Sequence, residues 1–121
     1  MRKTMNARAL LAGLVVGGSL FLEGPVEAQP VDTTCKPRNV VVWEVKPQSR
    51  VHVQCVAAVG NIKYFAFRSN DADAVARVLT ILTAARAAGA DLVINYDPAD
   101  TSGSSWGCNP NDCRTIRAVG F

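Results

Sequence analysis

Four cysteines, Cys35, Cys55, Cys108 and Cys113, constrain this chain most, because all of them follow a segment with the order of an export signal. Arg2, Lys3 and Arg8 precede an uncharged, mostly apolar run from Ala9 to Leu22, the charged-then-apolar order that a translocon reads. Val26-Glu27-Ala28 then offers small or modest residues to a signal peptidase, so cleavage is expected after Ala28, leaving Gln29 first. About 14 apolar residues fall short of the roughly 20 that span a bilayer, which argues against a membrane anchor. A secreted or periplasmic destination turns an even set of cysteines into a framework of two disulfides. Three pairings are open to them. Cys108 and Cys113 flank Asn109-Pro110-Asn111-Asp112, a turn-forming stretch able to bring their Cα atoms into bridging range, which leaves Cys35 with Cys55 by elimination. Neither a CxxC pair nor a supporting histidine accompanies them, so no metal or cofactor is expected.

Without residues 1–28 the chain has 121 − 28 = 93 residues, and its formal charge falls from +3 to 10 − 8 = +2. One domain of that size buries barely enough apolar surface to offset its chain entropy, and the disulfides supply the missing constraint. So small a charge points to no particular partner, and no second apolar run predicts a membrane-spanning segment.

Residues 29–39, with Pro30 and Pro37, read as an extended lead-in to a domain over 40–121. Val40 to Val45 is rich in β-branched and aromatic residues and stops at Lys46-Pro47-Gln48-Ser49, which predicts a first strand. Arg50 to Ala57 alternates, with Arg50, His52 and Gln54 on one face and Val51, Val53, Cys55 and Ala57 on the other, a half-buried second strand. Gly60-Asn61 turns the chain into a third, Ile62 to Arg68, in which Phe65 and Phe67 share a face. Ser69-Asn70-Asp71 offers an N-cap and Gly89 a stop, and between them Val75, Val78, Leu79, Leu82 and Ala85 recur at helical spacing. Asp91 to Tyr96 and Cys113 to Val119 are the fourth and fifth strands, separated by a Ser, Gly, Asp and Asn loop that carries Trp106.

The order β-β-β-α-β-β is that of the OB-fold, a five-stranded Greek-key barrel that commonly binds oligonucleotides or oligosaccharides on one face. An open antiparallel sheet with the helix across one face is the alternative.

The part after residue 28 holds one histidine, His52, and one glutamate, Glu44, and so lacks the paired carboxylates or histidine clusters of most hydrolytic sites. No catalytic residue is therefore expected. Arg50, His52 and Gln54 form either an ordinary solvated strand face or a row of donors lining a ligand groove. Trp106, flanked by Ser104, Ser105 and Gly107, is either a stacking surface for a sugar or partner, or a plug over the barrel mouth. Trp43, within a strand, reads as core or subunit contact. Lys63, Tyr64 and Arg68 are the one hint of nucleic-acid binding, and a charge near +2 with export argues against it.

Tyr64-Phe65-Ala66-Phe67, and Leu82 through Gly89-Ala90-Asp91-Leu92-Val93-Ile94-Asn95-Tyr96-Asp97-Pro98, resemble the pentameric binding subunits of the subtilase-cytotoxin and typhoid-toxin group of bacterial toxins. Those subunits carry a Tyr-Phe strand, an amphipathic helix ending near glycine, and a strand closing on tyrosine and an acidic-Pro pair. The likeness covers roughly residues 50–119, and Cys108 and Cys113 parallel a C-terminal cysteine pair in the group. It implies an OB-fold toxin B-subunit, a homo-pentamer partnered by an exported enzyme subunit, and carbohydrate binding to a glycan or glycoprotein. Among the group's sugar-contacting residues, the tyrosine before the acidic-Pro pair has its counterpart in Tyr96, while the cysteine after Tyr-Phe is Ala66 here. The expected ligand residues are thus Tyr96, Trp106, His52, Arg50 and Gln54. The alternative is an exported protein-binding, inhibitor-like domain with no small ligand.

Overall fold

A computed structural model describes residues 29–45 and 48–121. The expected signal peptide, 1–28, lies outside the described residues, as do Lys46 and Pro47 of the first turn. The described chain is mainly β with one helix: β1 (Val31–Cys35), β2 (Pro37–Val45), β3 (Gln48–Val59), β4 (Ile62–Ser69), α1 (Ala72–Ala88), β5 (Leu92–Tyr96), β6 (Cys113–Thr115) and β7 (Ala118–Gly120). A short 3₁₀ helix spans Ser102–Trp106.

The strands form two sheets, one in the order β1-β5-β7 and one in the order β2-β3-β4-β6, and neither closes on itself. Seven strands stand where five were expected, because part of the lead-in forms a strand of its own and the fifth expected strand is interrupted. Lys36 separates β1 from β2 as the chain passes between sheets, and Ile116 and Arg117 separate β6 from β7 at the return. Residues 31–35, expected as part of an extended lead-in, form a strand paired with β5, Cys35 opposite Leu92 and Val31 opposite Tyr96. Pro37, which lacks the N–H that a ladder uses, is tolerated as the first residue of its strand.

Alternation along β3 buries Val51 and Val53 and turns Arg50, His52 and Gln54 to the other face. The pairing of Val53 with Phe65 and Val51 with Phe67 puts both phenylalanines on the inner face. A register irregularity between Gln54 and Val59 ends this alternation, so Ala57, expected to face inward, is exposed.

α1 runs between the predicted caps. The Asp71 carboxylate accepts the Asp73 backbone N–H at 2.9 Å, and Gly89 (φ 66°) donates its own N–H to the last-turn carbonyls of Ala85 and Arg86. Val75, Leu82 and Ala85 are buried against the sheets, joined by Leu92, Ile94, Phe65 and Ile116 in one core. Both disulfides form as expected, Cys35–Cys55 across the passage between sheets and Cys108–Cys113 at the start of β6. Two bridges in so small a domain are compatible with an extracellular or periplasmic location. No described helix is long and apolar enough to cross a membrane.

Candidate functional site

The face of β3 and β4 that turns away from the core carries the site. Register sets it out in rows: Trp43, Arg50 and Arg68 lie side by side across β2, β3 and β4, with Val41, His52 and Ala66 in the next row and Asn39, Gln54 and Tyr64 beyond. Part of this face is roofed by the segment between β5 and β6. There Ala66, Cys108 and Cys113 form a second buried cluster, with Tyr64 and Trp106 half-buried against it. Ala66 would otherwise be an outward residue in mid-strand, and the roof is what buries it.

The roof is tied down along its length. Asp97 accepts the Ala99 N–H at 2.9 Å, Asp100 accepts the Ser102 N–H at 2.9 Å, and the Arg114 guanidinium donates to the carbonyls of Pro98 and Pro110 at 2.7 Å. The side chain and backbone N–H of Ser102, in that order, hold the Asp100 carboxyl below the usual carboxylate range. Gly103 packs so closely beneath that a Cβ there would stand 2.8 Å from the Cβ of Cys108 and 3.1 Å from the Trp106 ring.

Beside the roof opens a cleft of about 300 Å³, lined by Trp43, Arg50, His52, Tyr64, Asn109 and Asp112 among others. The Arg50 guanidinium stacks on the Trp43 indole at 5.0 Å and runs beneath Gly107, where a Cβ would come within 2.9 Å of Nη2. Its Nε is shielded from solvent yet has no hydrogen-bond partner. The same holds for Nε2 of His52, whose ring meets Trp106 edge-on at 6.2 Å. Burial first, and the neighbouring Arg50 charge second, lower the His52 pKa, so the ring is neutral at pH 7. The Arg68 guanidinium lies 5.7 Å from the Trp106 indole centroid and lines a second, shallow and open cavity of about 410 Å³ with Ser69, Asn70 and Trp106.

The structure thus brings together three of the five expected ligand residues, Arg50, His52 and Trp106. Gln54 lies one row away and its carbonyl already accepts the Asn39 amide at 2.8 Å. Tyr96 is placed elsewhere: Leu92, Ile94 and Tyr96 are the inward positions of β5, and the Tyr96 ring sits in the core, edge-on to Phe65 at 4.9 Å. Trp106 covers an outer sheet face rather than a barrel mouth. Trp43, expected in the core or at a subunit contact, is not in the core: it is 47% exposed and forms one wall of the cleft.

Trp43 had a usable signal. Val45 lies opposite Gln48 in the β2-β3 ladder, and counting back puts Trp43 opposite Arg50. No such count reaches Gly107, Asn109 or Asp112, which a distant loop delivers.

Chemically, the cleft offers a stacking surface, a guanidinium without a carboxylate partner, a neutral imidazole, an amide and a carboxylate. Among the described residues no group of three or more His, Cys, Asp or Glu side chains converges as a metal site would require. Comparison with known proteins finds no match to this chain among family models, curated proteins or solved structures.

Proposed function

We propose that the chain is an exported, non-catalytic binding module that recognises a carbohydrate or glycosylated surface through the cleft on its outer sheet face. The observation that carries this reading is the Trp43-Arg50-His52 wall. An accessible indole offers a sugar ring a flat apolar face, and the polar side chains that share the lining of the cleft offer hydrogen bonds to hydroxyls. Asn109 and Asp112 in the same lining supply both donor and acceptor, the mixed set that a polyol needs.

We also read the two sheets as parts of one OB-like Greek-key barrel. If β1 and β2 count as a single strand bent at Lys36, and β6 and β7 as one bent at Ile116–Arg117, five strands run round in a continuous order. The parallel pairing of β4 with β6 and the single helix after the third of these strands support this reading. In that frame the resemblance to toxin B-subunits suggests a homo-pentamer with an exported enzyme as partner.

Glycan-array binding by the purified protein tests the carbohydrate reading. Binding is expected to fall about tenfold or more in Trp43→Ala and Arg50→Gln, the loss of roughly one good contact each. An array with no bound glycan overturns the reading, as do variants that bind like the parent. Light scattering that gives a monomer removes the pentamer.

A protein partner is the second reading, favoured by the outer edge of the β2-β3-β4-β6 sheet. β2 ends that sheet and exposes Val41, Val42 and Trp43, an apolar edge of the kind that accepts another strand. Stoichiometric capture of one envelope protein, unaffected by added sugars, would favour it over the first.

A further inference from the structure

We propose that the outer face takes a chain of acidic sugars rather than one terminal sugar, with an oxyanion against Arg50 in the cleft and another against Arg68 in the adjoining cavity. The proposal rests on the carbohydrate reading and specifies its ligand.

Arg50 and Arg68 are direct cross-strand partners on one face. Like charges in that position repel, and a fold with no use for them replaces one or pairs both with carboxylates. Neither remedy is present here. The one ion pair among the described residues joins Arg77 to Asp71 at 4.0 Å, on the helix, and leaves both outer-face arginines uncompensated.

Each guanidinium is instead laid on an indole, Arg50 on Trp43 and Arg68 on Trp106, and each such pair lines its own cavity. The ring holds the guanidinium plane in place without neutralising it, which prepares the N–H groups for an external acceptor. The shielded and unpartnered Nε shows how little the protein itself satisfies Arg50. The two units adjoin, because His52, which lines the first cavity, packs against Trp106, which lines the second. A repeated Arg-on-Trp unit matches a ligand that repeats the same acidic group along its length.

Carboxylate and sulfate ester are the two sources of that oxyanion. Asp112, in the first cavity, disfavours a densely charged ligand and suits one whose acid groups are spaced by hydroxyl-bearing rings. Nucleic acid presents one charge at every step, and a formal charge of +3 over the whole chain provides little field to gather it.

Titration calorimetry on the purified protein tests this with an oligogalacturonate hexamer (carboxylate only), a heparin hexasaccharide (sulfate and carboxylate), the corresponding disaccharides, a neutral dextran oligomer and oligo-dT. At least one acidic hexamer is expected to bind about tenfold or more tightly than its own disaccharide and than dextran. Arg50→Gln and Arg68→Gln should each weaken that hexamer about tenfold, while Arg117→Gln, exposed between β6 and β7, leaves it unchanged. Binding of the galacturonate identifies carboxylate as sufficient; binding of heparin alone identifies the sulfate ester. Equal affinity for hexamer and disaccharide, or a silent Arg68→Gln, overturns the two-seat proposal. Dextran bound as tightly as either acid overturns it too, yet leaves the carbohydrate cleft standing. Tightest binding to oligo-dT makes the face a nucleic-acid site and overturns both, whereas no binding to either acidic hexamer overturns the two-seat proposal alone.

Discussion

His52 lines the cleft with its Nε2 shielded and unpaired, and a positive guanidinium two residues away on the same face. Its folded-state pKa therefore lies below the ordinary histidine value of 6.5, and on acidification the unfolded chain takes up the proton first. Stability contributed this way is whole above pH 6.5 and is lost as pH falls from there through the folded-state value. We expect the melting temperature to drop on going from about pH 7.5 to about pH 5, and His52→Gln to flatten that slope. A His52→Gln protein with the parental slope would assign the pH dependence to other groups. Gly107 offers a second test at this scale, since its φ of 107° is one that L side chains rarely adopt and a Cβ there would press on the Arg50 guanidinium. Gly107→Val should cost about 1–3 kcal/mol in denaturant unfolding and displace the guanidinium from Trp43, seen as a change in tryptophan emission.

Among the elements, α1 depends on features spaced a few residues apart, and these are what a sequence displays best. Asp71 and Gly89 stand at the ends, and the stripe expected from Val75, Val78, Leu79, Leu82 and Ala85 is buried at Val75, Leu82 and Ala85 and half-buried at Val78 and Leu79. Leu82 is fully buried, so Leu82→Ala should destabilise by about 2–5 kcal/mol, and Asp71→Ala by about 1 kcal/mol through the lost cap, both measured by urea unfolding. A larger loss from Asp71 than from Leu82 would mean that the cap, not the packing, holds the helix. The strands were legible where alternation is local, as in Arg50 to Gln54. They were less so where pairing partners lie far apart. β1 follows no contrast of polar and apolar residues, and its existence depends on Leu92 to Tyr96 arriving beside it. Tyr96 shows the same limit at the site: its motif drew attention to the residue, but the phase of β5, set by Leu92 and Ile94, turned it inward. Arg50 and His52 were found because a strand face is a local property. Their cleft required the roof, which is fixed by hydrogen bonds to Arg114 and a disulfide rather than by any periodicity.

At the scale of the molecule, the two disulfides divide the work. Cys35–Cys55 joins the end of β1 to β3 across the point where the chain changes sheet, closing a separation of 20 residues, whereas Cys108–Cys113 closes 5 and sits under the roof. Loop-closure entropy makes the longer one worth about 3 kcal/mol and the shorter about 2 kcal/mol. The ranking should reverse at the site. Cys108 and Cys113 are two of the three buried residues in the outer cluster against which Trp106 rests, so their loss loosens the wall between the two cavities while both sheets keep their pairing. The paired substitution Cys35→Ala with Cys55→Ala should therefore lower the unfolding midpoint most and leave native tryptophan emission unchanged. Cys108→Ala with Cys113→Ala should lower the midpoint less, shift native emission to the red as Trp106 meets water, and weaken ligand binding. Circular dichroism followed beside fluorescence separates the two. If both pairs lower the midpoint and shift the emission alike, the roof and the sheets form one cooperative unit, and the cleft cannot be altered without the fold.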